Sequence, residues 1–507
     1  MRIDMIALRR LPPALVLALI MIGATGVRLW ALESWPLWSD ECWSKWISAM
    51  GWRDMFATVR AYETHPPFYY SLLKLWQTLF GDSNMSLRSL SLIASVALIP
   101  LGFALATRAR VNGLVLALLI ALNRPEVITG RQARPYALLA LAFGFAMLTL
   151  LRIKRGANRW RDWLAYVVAF EAMLWLHAVG VCFGVALGLA MLVGLRRDQW
   201  LKFVVSHAVI GVMWLPCLQM ILIQHGHRLH SWLVFNWADV WPQLVEGFVG
   251  WPETGNGLIA LIVAGLGVAA LVARGERALA AILLILTLVP VALEILVSAS
   301  NTPVFLARYF VPSVLPFLML LTASISHPKY GRIGALGVAV LALFMTVTSV
   351  REITRAPEER WDAVGAYLTP RVAPGEEVWT LPNDLKMFLT YAAPPRYPVI
   401  GQPAPFPAPD YPGDRPAGTL AVPGIDAPSV TRMIAEARAR HRTGVWIITS
   451  RLPLFDPSNA LHGQLAAVAT HTGKEADFAP MTIEHWVFKP ELRAPAPQSA
   501  LETKPNR

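Results

Sequence analysis

Apolar stretches separated by short polar links fill the first 350 residues of the chain. Each stretch holds roughly 16 to 21 mostly apolar residues, near the length of helix that spans a bilayer. The stretches lie at residues 11–31, 86–106, 112–128, 135–151, 162–177, 178–195, 203–223, 257–273, 278–298, 307–326 and 333–350. This pattern predicts a polytopic α-helical membrane protein with about eleven transmembrane helices. The first stretch is long and lacks a convincing cleavage site, so we expect a retained helix.

Basic residues concentrate in alternate links, which sets the expected orientation. A cytoplasmic N-terminus places every basic link on the cytoplasmic side, as the positive-inside rule requires. These links carry Arg108/Arg110, Arg152/Lys154/Arg155/Arg159/Arg161, Arg196/Arg197/Lys202, Arg274/Arg277 and Lys329/Arg332. The same orientation puts residues 32–85, 124–134, 224–256, 299–306 and everything after 350 outside the cytoplasm. We therefore expect a multi-pass protein of the bacterial inner membrane with a periplasmic C-terminal domain.

The pattern changes near residue 351 to that of a soluble domain. VWTLPNDL and TGVWIITSR are typical of strands, SVTRMIAEARARHR is typical of a helix, and PVIGQPAPFPAPDYPGDRPAG is a proline-rich loop. The sequence thus predicts a transmembrane module over 1–350, with a first outer loop at 32–85. A soluble α/β domain over 351–492 and a disordered tail over 493–507 follow.

Composition supports the membrane prediction and narrows the partners. The chain is 55% hydrophobic and only 15% charged, with a mean hydropathy of +0.47, so its main solvent is expected to be lipid. The net charge of +12 does not indicate nucleic-acid binding, because many basic residues lie in the orienting links. Three scattered cysteines, Cys42, Cys182 and Cys217, give no disulfide framework.

Two adjacent carboxylates, Asp40 and Glu41, follow the first apolar stretch. They lie in WPLWSDECWSKWISAM, a Trp-rich segment typical of an amphipathic helix at the membrane surface. One interpretation is a helix cap, with Ser39 or Asp40 at the N-cap. The other is a general base that takes the proton of an acceptor hydroxyl.

A histidine and two prolines, His65-Pro66-Pro67, precede the helix-like stretch FYYSLLKLWQTLF. The prolines suit the first turn of a helix, whose N-terminus favours an anion. The alternative is a helix start whose histidine merely faces the membrane interface.

Four arginines begin apolar stretches on the expected outer side: Arg88, Arg131, Arg134 and Arg308. Snorkelling to lipid headgroups explains any one of them alone. Together, on the same side as the carboxylates, they supply the donors that a phosphate leaving group needs. Tyr136 and Tyr309 stand beside two of these arginines and are candidate substrate-binding residues.

Histidines elsewhere are open to two interpretations. His225, His227 and His230 form an HxHxxH run that resembles a metal cluster, but no carboxylate stands at ligand spacing nearby. Imidazoles facing the membrane interface are the alternative. His177 in LWLHAVG is expected to turn a tight outer hairpin, or else to reach the site as a substrate-binding residue.

The expected topology restricts the donor of any transferase. Nucleotide-activated sugars and ATP are cytoplasmic, and the chain has no P-loop and no dinucleotide-binding glycine pattern. An outward-facing transferase must therefore use a lipid-linked donor. A polyprenyl-phosphate sugar fits, with its tail among the helices and its phosphate near the arginines.

Six motifs carry a family resemblance: LWSDECWS, THPPFYYSLLKLW, LRSLSLIASVALIP, RQARPYALLALAF, WLHAVGVCFGVALGLA and ARYFVPSVLPFLMLL. Their order resembles that of the GT-C glycosyltransferases of the protein O-mannosyltransferase and lipid A aminoarabinose transferase type. The resemblance implies that Asp40 is the catalytic base and that Glu41 completes an acidic pair. It also implies that His65 lies near the donor phosphate, and that Arg134 and Arg308 occupy the arginine positions of the family. The implied reaction is a single displacement that inverts the anomeric configuration.

Some features of the family pattern differ in this chain or stay open. Gln132 stands where relatives often carry a glutamate, so a second carboxylate from that loop would have to be Glu126. The sequence identifies no definite cofactor, and a divalent metal ion that bridges the phosphate to Glu41 or His65 is an open alternative. Some relatives bind a divalent ion, and metal ligands are left unassigned. The sugar and the acceptor, which is a glycan, a lipid or a protein side chain, are also open.

A transporter or flippase for a lipid or glycan is the main alternative from another class. Glu171 and Glu294 lie inside apolar stretches, where transporters often carry charges. The clustering of polar residues at one face favours surface chemistry instead. A catalytically inactive scaffold that binds envelope glycans is a third interpretation.

Overall fold

The computed structural model describes residues 11–63, 65–226, 233–250, 256–300, 303–412, 414–416, 421–473 and 476–490. Every predicted apolar stretch contains helix, although the stretch at 307–326 begins with a turn. A six-stranded sheet lies near the C-terminal end. The predicted combination of a helical module and a sheet-containing C-terminal domain is confirmed.

The regular elements that the structure describes before residue 376 are all helices. They are α1 (Pro13–Leu29), α2 (Ser39–Ala49), α3 (Trp52–Tyr62), α4 (Phe68–Phe80), α5 (Asn84–Ala109), α6 (Gly113–Leu122), α7 (Arg124–Thr129), α8 (Tyr136–Lys154), α9 (Trp160–Leu176), α10 (Gly180–Leu192), α11 (Trp200–Gly226), α12 (Val240–Phe248), α13 (Asn256–Ala273), α14 (Arg277–Ala299), α15 (Val314–Ser324), α16 (Gly331–Thr354) and α17 (Trp361–Leu368). Short 3₁₀ turns occur at Arg197–Gln199, Trp237–Asp239 and Val311–Ser313.

Within the described residues, six helices are long and apolar enough to cross a membrane. They are Asn84–Ala109, Tyr136–Lys154, Arg197–Gln224, Asn256–Ala273, Arg277–Ala299 and Gly331–Thr354. Four further apolar helices have 10–17 residues: Pro13–Leu29, Gly113–Leu122, Gly180–Leu192 and Val311–Ser324. The expected total of about eleven spans stays a prediction.

The apolar stretch at 112–128, expected as one helix, is two. Asn123 ends α6, and its Oδ1 accepts a hydrogen bond from the Glu126 backbone N–H at 3.3 Å. Pro125 occupies the first turn of α7, where its missing N–H costs nothing. An asparagine cap followed by proline therefore overrides the continuous hydrophobic pattern and turns the chain before Glu126.

The chain forms two compact units. One comprises Met1–Trp35, Trp43–His225 and Leu233–Ala356. The other comprises Pro36–Cys42, Gly226–Trp232 and Pro357–Arg507. The second unit thus includes the short segment that carries Asp40 and Glu41.

The C-terminal unit is built on a mixed sheet. Its strands are β1 (Glu376–Leu381), β2 (Val399–Gly401), β3 (Gly444–Ser450), β4 (Ala469–His471), β5 (Ala476–Phe478) and β6 (Met481–Phe488). Their order is β2-β1-β3-β6-β4, with β5 also pairing to β6. β1 runs parallel to β2 and β3, and β6 runs antiparallel to β3. Helices α18 (Leu385–Ala392), α19 (Ala427–Ala439), α20 (Leu452–Phe455) and α21 (Ala460–Val468) connect the strands.

Glu377 is a fully buried carboxylate near the start of β1. It accepts hydrogen bonds from Arg440 Nη2 at 2.9 Å, Arg442 Nε at 2.9 Å and Trp379 Nε1 at 2.8 Å. Burial acts to raise the pKa of Glu377, but the hydrogen bonds from Arg440 and Trp379 and the arginine charges outweigh it and lower that pKa. The ionised carboxylate therefore ties the segment after α19 to β1.

Replacement of Glu377 by Gln is expected to destabilise the C-terminal unit by about 2 kcal/mol, because the arginines lose their counter-ion. The pKa of Glu377 is lower in the folded state than in the unfolded state, where it is about 4.3. The ionised Glu377 therefore stabilises the fold at a pH above about 4.3, and this stabilisation is lost as the pH falls through the pKa of the folded state. The variant should therefore lose less stability than the wild type on acidification. The measurement is the thermal midpoint for protease cleavage after residue 357 in the purified full-length chain.

Glu436→Gln is the matched control. Glu436 is half exposed and lies 3.6 Å from the same Arg440, so its replacement should cost no more than about 0.5 kcal/mol. Equal destabilisation by the two variants would contradict the role given to Glu377.

Candidate active site

Four helical segments begin around one buried group of side chains in the first unit. His65 precedes α4, Arg134 precedes α8, His177 precedes α10, and Arg308 and Tyr309 precede Val311–Ser324. Helix N-termini carry free N–H groups and a partial positive charge. Several of them at one place favour an anion, phosphate above all.

Arg134 and His65 form the centre of this group. Arg134 Nη2 lies 3.0 Å from His65 Nε2, and both side chains are buried. A guanidinium can only donate, so His65 Nε2 accepts and the ring is neutral, with its proton on Nδ1. Arg134 also donates from Nη1 to Ser44 Oγ at 3.2 Å, and its carbonyl accepts from Ser91 Oγ at 3.0 Å. These contacts fix the guanidinium in the site.

A tight turn between α9 and α10 fixes His177. The backbone N–H of Val179 donates to His177 Nδ1 at 3.1 Å, and that of Gly180 donates to the His177 carbonyl at 2.9 Å. A Cβ at Gly180 would lie 2.7 Å from the carbonyl oxygen of Met173, so only glycine fits there. Because Nδ1 accepts, the His177 ring is neutral and its proton is on Nε2. The predicted hairpin at His177 is confirmed.

Aromatic rings surround the two histidines. The ring centroid of His177 lies 4.1 Å from that of His65, 5.4 Å from that of Tyr136 and 5.2 Å from that of Tyr309. The Arg308 guanidinium lies 5.8 Å from the Tyr309 ring centroid. The structure thus brings together six residues singled out from the sequence: His65, Arg134, Tyr136, His177, Arg308 and Tyr309.

Glu63 is a member of the group that sequence reasoning missed. Its Oε1 lies 4.0 Å from His65 Nε2, and its side chain is only 9% exposed. Burial raises the pKa of Tyr70, the Glu63 charge raises it further, and Arg134 opposes the rise. Glu63 therefore faces both His65 and Tyr70. An acidic residue two positions before His65 in ETHPP was the available signal.

Arg88 and Arg131 hold the end of the first helix. Arg88 Nη1 donates to the carbonyls of Leu32 at 2.7 Å and Trp35 at 3.0 Å. Arg131 Nη1 donates to the carbonyl of Val27 at 3.0 Å, and its guanidinium lies 4.7 Å from the Trp35 ring centroid. These contacts give both arginines a structural role. Phosphate binding by either one stays a prediction.

Asp40 and Glu41 lie in the first turn of α2. Glu41 is fully buried and its Oε2 accepts from the Trp38 backbone N–H at 3.3 Å. The backbone N–H and hydroxyl of Ser39 donate to Glu359 at 2.8 and 2.9 Å. Burial raises the pKa of Glu359 and the Asp40 charge adds to the rise, while the hydrogen bonds from Ser39 oppose it. Glu41 therefore caps the start of α2. Glu359 is a third carboxylate, bound to Ser39. The assignment of Asp40 as the general base stays a prediction.

Glu126 lies against Arg28, a fully buried arginine of α1. Arg28 donates to Ser95 Oγ at 2.9 Å and to the Ala121 carbonyl at 3.2 Å. Burial raises the pKa of Glu126 to about 8, with the Arg28 charge opposing the rise. The carboxyl is therefore neutral at pH 7.

Glu126→Gln is expected to change the pH dependence of stability. The pKa of the Glu126 carboxyl is higher in the folded state than in the unfolded state, where it is about 4.3. The free energy of unfolding therefore falls as the pH rises from about 4.3 to about 8. Gln keeps the neutral shape and removes this dependence. The melting temperature of the purified chain should therefore drop less between pH 6 and pH 9 in the variant than in the wild type. Glu246→Gln is the control, because Glu246 is a partly exposed partner of Arg124, and this variant should match the wild type. If the melting temperature of the wild type falls no more than that of Glu126→Gln between these pH values, the raised pKa of Glu126 is contradicted.

The part of the chain that the structure describes holds no group of three or more His, Cys, Asp or Glu able to bind an ion. The His225 side chain and residues 227 and 230 of the HxHxxH run lie outside the described residues. Glu171 accepts from Trp175 Nε1 at 3.0 Å. Glu294 is fully buried, and its carboxyl oxygens have no hydrogen-bond partner among the described residues.

Comparisons with known proteins give one match to a family model, and that match covers part of the chain. Residues 64–223 match the family described as dolichyl-phosphate-mannose-protein mannosyltransferase, a stretch of less than half the chain that contains His65, Arg134 and His177. No curated protein matches the sequence.

Two crystal structures of ArnT from Cupriavidus metallidurans are similar to this chain. The apo structure is 15% identical, with a TM-score of 0.59 over 94% of this chain and 98% of ArnT. The structure bound to undecaprenyl phosphate is 15% identical, with a TM-score of 0.55 over 95% and 99%. Identity at this level shows the fold alone. The chain therefore has the fold of ArnT, one of the two transferase types that its motifs resemble.

Proposed function

We propose that this chain of GT-C fold is an integral-membrane glycosyltransferase that moves a sugar from a polyprenyl-phosphate carrier to an acceptor hydroxyl on the periplasmic side. The observation that carries the proposal is the buried Arg134–His65 pair at the start of several helices. A buried cation beside helix N-termini suits a phosphate that gains charge as it leaves.

A lipid-linked donor is supported by both comparisons. The description of the matching family names dolichyl-phosphate-mannose. ArnT, which has the same fold as this chain, has been crystallised with undecaprenyl phosphate. The apolar helices around the site suit the isoprenoid tail of such a donor. Arg134 and Arg308 supply charge for its phosphate, and Arg88 and Arg131 are the further candidates.

The proposed reaction is a single displacement at the anomeric carbon. Asp40 takes the proton of the acceptor hydroxyl, and the acceptor oxygen bonds to the anomeric carbon. The bond from that carbon to the phosphate oxygen breaks, its electron pair leaves with the polyprenyl phosphate, and the anomeric configuration inverts. Asp40 lies in the first turn of α2. Glu41 holds the first turn of that helix.

The proposed location is the bacterial inner membrane, with a cytoplasmic N-terminus and residues after 350 in the periplasm. The support is the basic character of alternate links, which the positive-inside rule assigns to the cytoplasm. The acceptor is a hydroxyl of an envelope glycan, a lipid or a protein.

The test is transfer of radiolabelled sugar from synthetic undecaprenyl-phosphate sugars to a native envelope extract by the purified chain. We expect label in one class of envelope product, which names the acceptor. No transfer from any donor by a monodisperse, thermally stable preparation would overturn the proposal. It would favour a transporter, for which the buried Glu294 in an apolar helix is the supporting observation.

A further inference from the structure

Two buried hydrogen-bond donors belong to neighbouring rings in the aromatic part of the site. The Nε2 of His177 and the hydroxyl of Tyr136 have no hydrogen-bond partner among the described residues, and each side chain is 1% exposed. Their ring centroids are 5.4 Å apart. A buried donor without a partner is destabilising and rare, so a pair of them in one place indicates a ligand that accepts hydrogen bonds.

The protonation state of His177 narrows the chemistry of that ligand. Its Nδ1 accepts from the Val179 N–H at 3.1 Å, so the free Nε2 carries the proton and the ring is uncharged. Tyr136 is likewise a neutral donor. The charged donors of the site are the guanidinium groups of Arg134 and Arg308. A phosphate is best met by those cations, whereas two neutral donors suit uncharged oxygen atoms.

The walls around these donors are aromatic. The Tyr309 ring lies 5.2 Å from His177 and 6.0 Å from Tyr136, centroid to centroid. A sugar ring presents apolar C–H faces that pack on aromatic rings, and hydroxyl and ring oxygens that accept hydrogen bonds at its edge. Apolar walls with a few placed polar groups are the usual way to fix the orientation of such a ligand.

We infer that Tyr136, His177 and Tyr309 form the subsite for the sugar ring of the donor, with His177 Nε2–H and the Tyr136 hydroxyl donating to sugar oxygens. The inference rests on the proposed transferase function and adds to it the residues that recognise the sugar. A site built to hydrogen-bond a sugar hydroxyl rejects a sugar that lacks it, since its donors are then buried without partners.

The experiment compares binding of bare and sugar-bearing lipid by the full-length chain in nanodiscs. The probes are undecaprenyl phosphate and undecaprenyl phosphate linked to mannose, glucose, galactose, arabinose or 4-aminoarabinose. The variants are Tyr136→Phe and His177→Phe, which each keep a ring and remove a donor. His177→Gln restores an N–H near the position of Nε2. Tyr166→Phe is the matched control, because Tyr166 carries a buried hydroxyl that is also without a partner in the described chain but packs on Trp163 and Phe170.

We expect the wild type to bind one glycosylated lipid at least about tenfold more tightly than undecaprenyl phosphate. Tyr136→Phe and His177→Phe should each reduce this preference about tenfold, the effect of one lost hydrogen bond of about 1.4 kcal/mol, with affinity for the bare lipid unchanged. His177→Gln should recover part of it, and Tyr166→Phe should match the wild type.

Three results would overturn the subsite. One is an equal loss of affinity for bare and glycosylated lipid, which would assign these residues to the phosphate. Another is an unchanged preference in both phenylalanine variants, and the third is a wild type that binds no glycosylated lipid more tightly than the bare one. If the wild type binds undecaprenyl phosphate and transfers label but shows any of these results, only the subsite is overturned and the proposed function stands. If the wild type binds no lipid and transfers no label, the subsite and the proposed function are both contradicted.

Discussion

Replacement of Asp40 by Asn is expected to lower the rate of sugar transfer by about 10²–10⁴-fold, the usual contribution of a general base. Asn keeps the size and hydrogen-bonding shape of the side chain but cannot take the acceptor proton. Asp40 is partly exposed in the first turn of α2, where an acceptor hydroxyl can reach it. Donor affinity should be unchanged, because the proposed phosphate contacts come from Arg134 and Arg308.

The measurement is the initial rate of label transfer under donor saturation, together with donor affinity, for wild type and variant. Asp54→Asn is the matched control, since Asp54 is an exposed aspartate in the first turn of α3, the next helix along the chain. The control should retain full activity. A rate for Asp40→Asn within threefold of the wild type would exclude Asp40 as the base.

Replacement of Arg134 by Lys is expected to weaken donor binding by about 10–100-fold and to lower the transfer rate further. Arg134 is buried and donates from separate nitrogens to His65 and Ser44, a geometry that the single ammonium of lysine cannot reproduce. Charge-assisted hydrogen bonds are worth about 1.5–3 kcal/mol, which gives the loss of affinity. Poorer stabilisation of the leaving phosphate gives the loss of rate.

Affinity for undecaprenyl phosphate, measured on the folded fraction, separates binding from stability. Arg124→Lys is the control, because Arg124 is also buried and pairs with Glu352 at 2.8 Å. Its replacement should lower the melting temperature and leave lipid affinity unchanged. Arg134→Lys with wild-type affinity for the lipid would remove Arg134 from the phosphate site.

The helices could be predicted from the sequence because their signals are local. Most of the long helices are apolar runs near bilayer length, and the prolines after His65 lie at a helix start as expected. The break at Asn123 was missed, because a capping asparagine and a proline outweigh the apolar residues on either side. The short strand Val399–Gly401 was assigned to a loop, since its pairing with β1 comes from residues distant in sequence.

The residues of the candidate site could be predicted by type but not by contact. Polar residues at the starts of apolar helices indicate chemistry there, and His65, Arg134 and His177 were found in that way. Sequence spacing could not show that His65 and Arg134, 69 residues apart, share a hydrogen bond. It also could not single out Glu63, whose burial depends on tertiary packing, or show that Arg88 and Arg131 bind backbone carbonyls.

The central claim is that a lipid-linked sugar is consumed as a donor and not carried across the membrane. Sealed proteoliposomes that contain the purified chain, radiolabelled undecaprenyl-phosphate sugar and acceptor extract, with no nucleotide sugar, test it directly. Free undecaprenyl phosphate and labelled product should appear in equal amounts, and both should be absent with Asp40→Asn. Movement of intact donor between the leaflets, with neither product formed, would contradict the account and identify a transporter.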